Sequence, residues 1–301
     1  MSANLPESVR ARLNAASRKN AWENNRTLAR YATEGFLRRL GASPHRDDLT
    51  LKGGNLFVVW LGGVGYRPTL DTDFLCRGDA SPRHLAEMFR DIAAIDCSAV
   101  DGLVFDASSL EIEPIRARTQ YGGSQISLLA LLGRTRIVLH FDVGIGDAVW
   151  PPPKLGEFPA LLDAPAPRIR MYPKEAAIAE KLHAMVEHGE LNSRMKDFYD
   201  VWFLASHFAF EWATLRTALE KSLSRRGVWP LPEVPLALTP GFADAPPRLS
   251  LWSGFVRRTR LQDSAPPFPE AVATIRAFLL PVLYPPAPVP KNWTPENGWS
   301  P

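Results

Sequence analysis

Apolar residues recur at helical spacing through the first forty positions: Val9, Leu13, Leu28, Tyr31, Phe36 and Leu40, with basic residues between them. Steps of three and four put such residues on one side of a helix, so residues 6–40 are predicted helical. The polar run SPHRDD (43–48) ends that pattern, and LKGGNLFVVWLG (51–62) opens on paired glycines before turning apolar. Gly62, Gly63, Gly65 and Pro68 break the pattern again. TLDTDFLC (69–76) then reads as a strand and RHLAEMFRDIAAI (83–95) as an amphipathic helix.

Residues 103–147 carry four apolar stretches, LVFDAS, SLEIEPIRA, SQISLLALLG and TRIVLHFDVG, separated by Gly and Ser turns, which predicts a β-meander. Proline dominates 150–173, a connector between two lobes. Beyond it the helical period returns in 173–189, 193–208 and 210–227, and again in about 246–261 and 268–283. The expected organisation is N-terminal helices (1–50), a mixed α/β core (51–172), a helical lobe (173–283) and a proline-rich tail (284–301) that is either flexible or strapped onto the surface.

Composition narrows the class. Of 301 residues, 46% are hydrophobic and 22% charged, as in a soluble globular chain rather than a disordered one. A net charge of +3 permits an RNA or nucleotide partner without demanding one. The two cysteines, Cys76 and Cys97, form no CxxC spacing and no disulfide framework. The polar N-terminus is not a secretory signal, and no apolar run approaches the roughly 20 residues of a membrane span. The expectation is a cytoplasmic protein with no membrane partner.

Within the predicted strand 69–76, Asp71 and Asp73 stand two residues apart. Strand side chains alternate, so both carboxylates point to one face, with Cα atoms roughly 6.5 Å apart. Such charges can serve as edge-strand protection against aggregation. They can also hold magnesium, which prefers oxygen ligands and shares its shell with substrate phosphates. Two such ions, about 4 Å apart, clamp the attacking and leaving oxygens of an in-line displacement. Asp142 in LHFDVG is the candidate third carboxylate, and Asp147, beyond Gly144 and Gly146, the less favoured alternative. The upstream Gly53 and Gly54 add backbone amides suited to phosphate oxygens. Glycine pair, helix, glycine-rich turn and acidic strand together form a nucleotide-transfer layout.

The stretch LKGGNLFVVWLGGVGYRPTLDTDF resembles the first motif of polymerase-β-type nucleotidyltransferases, and more narrowly that of the AbiEii/MenT toxins of toxin–antitoxin systems. AEKLHA (179–184) and RMKDFYD (194–200) match that family's two later helical motifs in the same order. The resemblance covers about residues 51 to 204. It implies an α+β fold, a polymerase-β-like nucleotidyltransferase lobe with a mixed sheet followed by a helical C-terminal lobe. It further implies a magnesium- or manganese-dependent enzyme that moves a nucleotide from an NTP to RNA, with the acceptor end of tRNA as the first candidate, and is restrained by a cognate antitoxin encoded nearby. Asp71, Asp73 and Asp142 would bind metal, and Gly53, Gly54 and Asn55 the triphosphate. Asn55 stands where that family usually has serine or threonine, so hydroxyl-to-metal contact is lost while an amide donor remains.

In the second lobe, Lys181 borders the apolar stripe of Ile178, Leu182 and Met185, where an ammonium needs an anion. A triphosphate fits, and so does an ion pair with a nearby carboxylate. Lys196 and Asp200 are four apart, the spacing of an ordinary surface pair. The resemblance makes Asp197 a catalytic or lysine-orienting group and Asp200 its support. Arg67 and Arg194 are candidate nucleotide ligands or plain solvated arginines, and Arg225, Arg226, Arg257, Arg258 and Arg260 candidate contacts to an RNA backbone. Two other functions stay open: transfer to a protein or small-molecule hydroxyl, and an inactive nucleotide-binding module.

Overall fold

The computed structural model describes residues 5–20, 22–63, 69, 71–115 and 122–301. Arg67 therefore lies outside the described residues. The chain divides into two compact units, Met1–Asp147 with Pro153–Tyr172, and Ala148–Pro152 with Pro173–Pro301. Among the described residues no helix is long and apolar enough to cross a membrane.

The first unit is mixed α/β. Helices α1 (Leu5–Lys19) and α2 (Asn24–Ala42) lead into strand β1 (Leu49–Lys52), a 3-10 turn at Gly53–Asn55 and the short helix α3 (Leu56–Trp60). Strand β2 (Thr72–Cys76), helices α4 (Pro82–Ala94) and α5 (Ser98–Asp101), and strands β3 (Leu103–Pro114), β4 (Gly123–Leu132) and β5 (Thr135–Ile145) follow. Strands β6 (Lys154–Glu157) and β7 (Arg168–Met171) complete a seven-stranded sheet of order β3-β4-β5-β2-β1-β7-β6. The β2–β5 and β1–β7 pairs are parallel; the others are antiparallel.

Alternation decides which face of this sheet is covered. Thr72, Phe74 and Cys76 of β2 are buried, as are Phe141 and Val143 of β5, and the intervening Asp73, Leu75 and Asp142 are half-buried. The covered face meets α2 and α4. Phe36 of α2 stands 4.5 Å, ring centre to ring centre, from Phe141, and Phe89 of α4 stands 5.2 Å from both Phe36 and Phe141. Helix α4 begins where the Ser81 hydroxyl accepts the His84 amide and Pro82 supplies a preset φ. It buries Leu85, Met88, Phe89 and Ile92, the stripe its spacing predicts. Beneath α2, Arg39 and Arg38 reach Asp101 at 2.7 and 2.9 Å, a fully buried carboxylate.

Three expectations are corrected. The leading helix is two helices, separated at residues 20–23 where Asn20 and Asn24 favour termini over interiors. The proline-rich stretch 150–173 is more than a connector, since it contributes β6 and β7 to the sheet. The tail is not loose: β9 (Asn292–Thr294) and β10 (Gly298–Ser300) form a hairpin on β8 (Phe210–Glu211). Two tryptophans explain it. Trp293, 5% exposed, packs on Phe278 and donates to the Ala205 carbonyl at 2.7 Å, and Trp299 stacks on Phe278 and donates to the Phe278 carbonyl.

The second unit is otherwise helical: α6 (Lys174–His188), α7 (Met195–His207), α8 (Trp212–Arg225), α9 (Pro240–Ala243), α10 (Pro246–Thr259) and α11 (Phe268–Leu283). Ile178, Leu182 and Met185 of α6 are fully buried, as are Phe198 and Leu204 of α7, Leu219 of α8 and Phe278 of α11.

Candidate functional site

The first unit aligns polar side chains in a row across four neighbouring strands. Lys52 of β1 is the register partner of Asp73 on β2, Asp73 of Asp142 on β5, and Asp142 of Gln125 on β4. Register partners project to the same side of a sheet. The row lies on the face opposite α2 and α4, because its neighbours Leu51, Phe74, Phe141 and Ile126 are all fully buried. Two carboxylates thus stand side by side with a cation on one flank and an amide on the other. The Gln125 amide donates to Asp142 Oδ1 at 3.1 Å. Asp71 is exposed in the bend just before β2.

The glycine turn is built against this row. Gly53 has φ +72°, a left-handed conformation that L side chains rarely adopt, and a Cβ placed there would lie 1.9 Å from Asp73 Oδ2. Only glycine lets the turn and the carboxylate occupy these positions together. Asn55 fastens the turn to the acidic strand, its amide donating to the Asp71 carbonyl at 3.1 Å and to Thr72 Oγ1 at 3.3 Å. The amide expected to face a phosphate is here engaged in tying the turn to the strand.

Asp147 is drawn elsewhere. Its Oδ2 accepts from Lys52 Nζ at 2.7 Å and from the Tyr172 hydroxyl at 3.3 Å. Asp142, not Asp147, is the register neighbour of Asp73. Among the described residues no three carboxylate, imidazole or thiol groups already gather in a metal-holding cluster. The two central carboxylates nonetheless suit a hard divalent cation: paired oxygen donors beside a turn that would collide with Asp73 if the glycine carried a Cβ.

The second unit holds a separate charge cluster. Lys181 Nζ lies 3.1 Å from Asp197 Oδ1 and 2.6 Å from Asp200 Oδ2, and Arg194 Nε lies 2.6 Å from Asp197 Oδ2. Both carboxylates are buried, while Lys196 is exposed. The expected Lys196–Asp200 surface pair is thus replaced: Asp200 faces inward, and the anion that Lys181 requires comes from α7. Burial pushes the Asp197 carboxyl up, but Lys181 and Arg194 outweigh it and hold the group below the ordinary carboxylate range. Arg225, Arg257, Arg258 and Arg260 are exposed at helix C-terminal ends, where a cation also complements the helix dipole, and Arg226 contacts the His183 ring at 3.2 Å.

Sequence reasoning passed over Lys52, Gln125 and Tyr172. Lys52 immediately precedes the glycine pair, a signal that was available. Gln125 and Tyr172 enter through strand pairings between distant segments, which no local pattern displays.

Comparison with known families matches residues 35–274 to the nucleotidyl transferase AbiEii toxin of type IV toxin–antitoxin systems. Two solved structures from Helicobacter pylori are similar at 16% identity and a TM-score of 0.43. JHP933 aligns over 82% of this chain and 88% of its own; a candidate nucleotidyltransferase aligns over 91% and 92%. Likeness at that level carries no functional weight. No curated protein matches the sequence.

Proposed function

Because the chain belongs to the nucleotidyl transferase AbiEii toxin family of type IV toxin–antitoxin systems, we propose that it moves a nucleotide from an NTP to an RNA hydroxyl, foremost the tRNA acceptor end. The observation that supports this reading is the pairing of Asp73 with Asp142 on adjacent parallel strands beside the Gly53 turn. Asp71, Asp73 and Asp142 would hold magnesium or manganese. When bound, such an ion supplies charge neutralisation at the phosphates.

The chain's own residues do the rest. The Gly53 and Gly54 backbone offers donors to the triphosphate with no side chain in the way. The acceptor hydroxyl oxygen attacks the α-phosphorus, the bond to the bridging oxygen breaks, and pyrophosphate leaves. The hydroxyl proton passes to one of the row's carboxylates. Positioning and charge, rather than covalent catalysis, lower the barrier. The family resemblance implies roles in the reaction for Lys181 and Asp197, while Arg67 and Arg194 are candidate nucleotide ligands by charge alone. It also supplies the antitoxin as the partner; the cytoplasm is the compartment that the cysteine content and the polar N-terminus favour.

The test is incubation of purified protein with each α-labelled NTP, total tRNA and magnesium. Label is expected at RNA 3′ ends, and Asp73→Asn and Asp142→Asn are expected to lose at least about a hundredfold in rate while melting near wild type. Label on protein alone would overturn the RNA acceptor. Transfer that survives both substitutions would overturn the site.

A further inference from the structure

Lys52 is the last residue of β1, and its ammonium reaches past β2 to Asp147, two residues beyond the end of β5. The crossing passes over Gly144. A Cβ there would stand 3.4 Å from Lys52 Nζ and 3.8 Å from its Cε, so the lysine lies directly over the glycine. Gly144 follows Asp142 by two positions on the same strand and so shares its face, roughly 6.6 Å away. A positive charge is therefore held one pleat from the carboxylate row. It is also well anchored: the Lys52 and Asp147 side chains are only 16% and 9% exposed, and Tyr172 donates to the same Asp147 oxygen. Burying a lysine this far is costly, and a solvated surface pair would satisfy either charge more cheaply.

We propose that Lys52, locked by Asp147 and Tyr172, is a positioning residue for the acidic row. Its charge, held in balance by Asp147, sets how tightly the row takes up a divalent cation. The inference rests on the reading of the row as a cation site. It has a signed consequence. Lys52 opposes an incoming cation and Asp147 favours one, and as a pair they nearly cancel. Removing the lysine charge alone should tighten divalent binding at least about tenfold, the effect of a unit charge roughly 7 Å from a divalent ion even under screening close to that of bulk water. Removing the Asp147 charge alone should weaken it to a similar degree, and removing both should restore near-wild-type affinity.

The experiment is Mn2+ titration of the nucleotide-free full-length protein, followed by electron paramagnetic resonance of the free ion. Wild type, Lys52→Met, Asp147→Asn, the double variant and Asp73→Asn are compared, with circular dichroism confirming each fold. The expected order of affinity is Lys52→Met, then wild type and the double variant together, then Asp147→Asn. A lysine that merely holds the strand in shape gives a different pattern: both single variants weaken binding, or neither moves it, and either result overturns the proposal. Should Lys52→Met fail to fold, Lys52→Gln takes its place, and affinity that is unchanged or weaker than wild type overturns the proposal. Asp73→Asn separates the two levels. If it abolishes Mn2+ binding while the Lys52 series stays flat, only the lysine inference fails. If wild type binds no Mn2+, or binds it equally without Asp73, the cation-site reading fails and this inference with it.

Discussion

Replacing Gly53 with alanine tests the close approach of the turn to the acidic strand. Two costs arise. The first is conformational: φ of +72° is the left-handed region, and an L residue held there loses about 1–2 kcal/mol. The second is steric, because the new methyl would meet Asp73 Oδ2 at 1.9 Å, Cγ at 2.6 Å and Cβ at 2.9 Å. A rotation that moves only the carboxylate oxygen does not clear the other two atoms, so the whole side chain or the turn must shift. Gly62 provides the control. Its φ of +64° imposes the same conformational cost, yet a Cβ there meets nothing within 4 Å. Gly62→Ala should therefore lower unfolding free energy by about 1–2 kcal/mol and leave transfer nearly intact. Gly53→Ala should lower stability by somewhat more, and transfer by about a hundredfold, since displacing a reacting group by 1 Å can cost that much. Urea unfolding gives the stabilities, and pyrophosphate release with NTP and RNA gives the rates. Equal activity in the two variants would refute the idea that Gly53 exists to make room for Asp73.

Two further outcomes follow from buried charges. Lys181→Met leaves the Asp197 and Asp200 carboxylates buried without their shared ammonium and should cost about 3–5 kcal/mol in urea unfolding, whereas a loss under 1 kcal/mol would show the cluster to be marginal. Glu34 is pushed up to about 7 by burial, against the opposing pull of the Leu161 amide and Arg30. Because its folded pKa is raised, its contribution is complete below the ordinary carboxylate value and is lost as pH rises through 7. Stability should fall by roughly 3 kcal/mol between pH 4.5 and 8 on its account, and Glu34→Gln should flatten that slope; an unchanged slope would show that Glu34 titrates normally in the fold.

Much of the first unit was legible because its strands alternate. The burial of Phe74 beside Asp73, and of Phe141 beside Asp142, follows from parity alone, and parity is visible in a single sequence. The proline-rich 150–173 misled because proline signals loops, yet the prolines lie around and between the two strands: β6 is KLGE and β7 is RIRM, both proline-free. The tail misled for the opposite reason. Its composition is that of a disordered segment, and Trp293 and Trp299 outweigh that composition only because Phe278 and the Ala205 carbonyl are there to receive them. The exposed faces were harder to judge: Trp202 and Phe203 are large aromatic side chains on α7, yet both are only half-buried.

The candidate site divides along the same line. Asp71, Asp73 and Asp142 could be nominated from spacing and apolar flanks, but spacing cannot say which strands pair. Joining Asp73 to Asp142 requires β2 to lie beside β5, with two helices and two strands between them in the chain. That one parallel pairing, inserted between antiparallel neighbours, also brings Lys52 and Gln125 to the flanks and carries Asp147 within reach of the lysine. Side-by-side carboxylates repel, and a sheet that merely needed an aggregation guard would place them at its edge. Here they occupy two adjacent interior strands, with strands β4 and β1 on either side. An interior position offers no protection to an edge, so the edge-guard explanation does not account for the pair, whereas a demand for closely set oxygen ligands does.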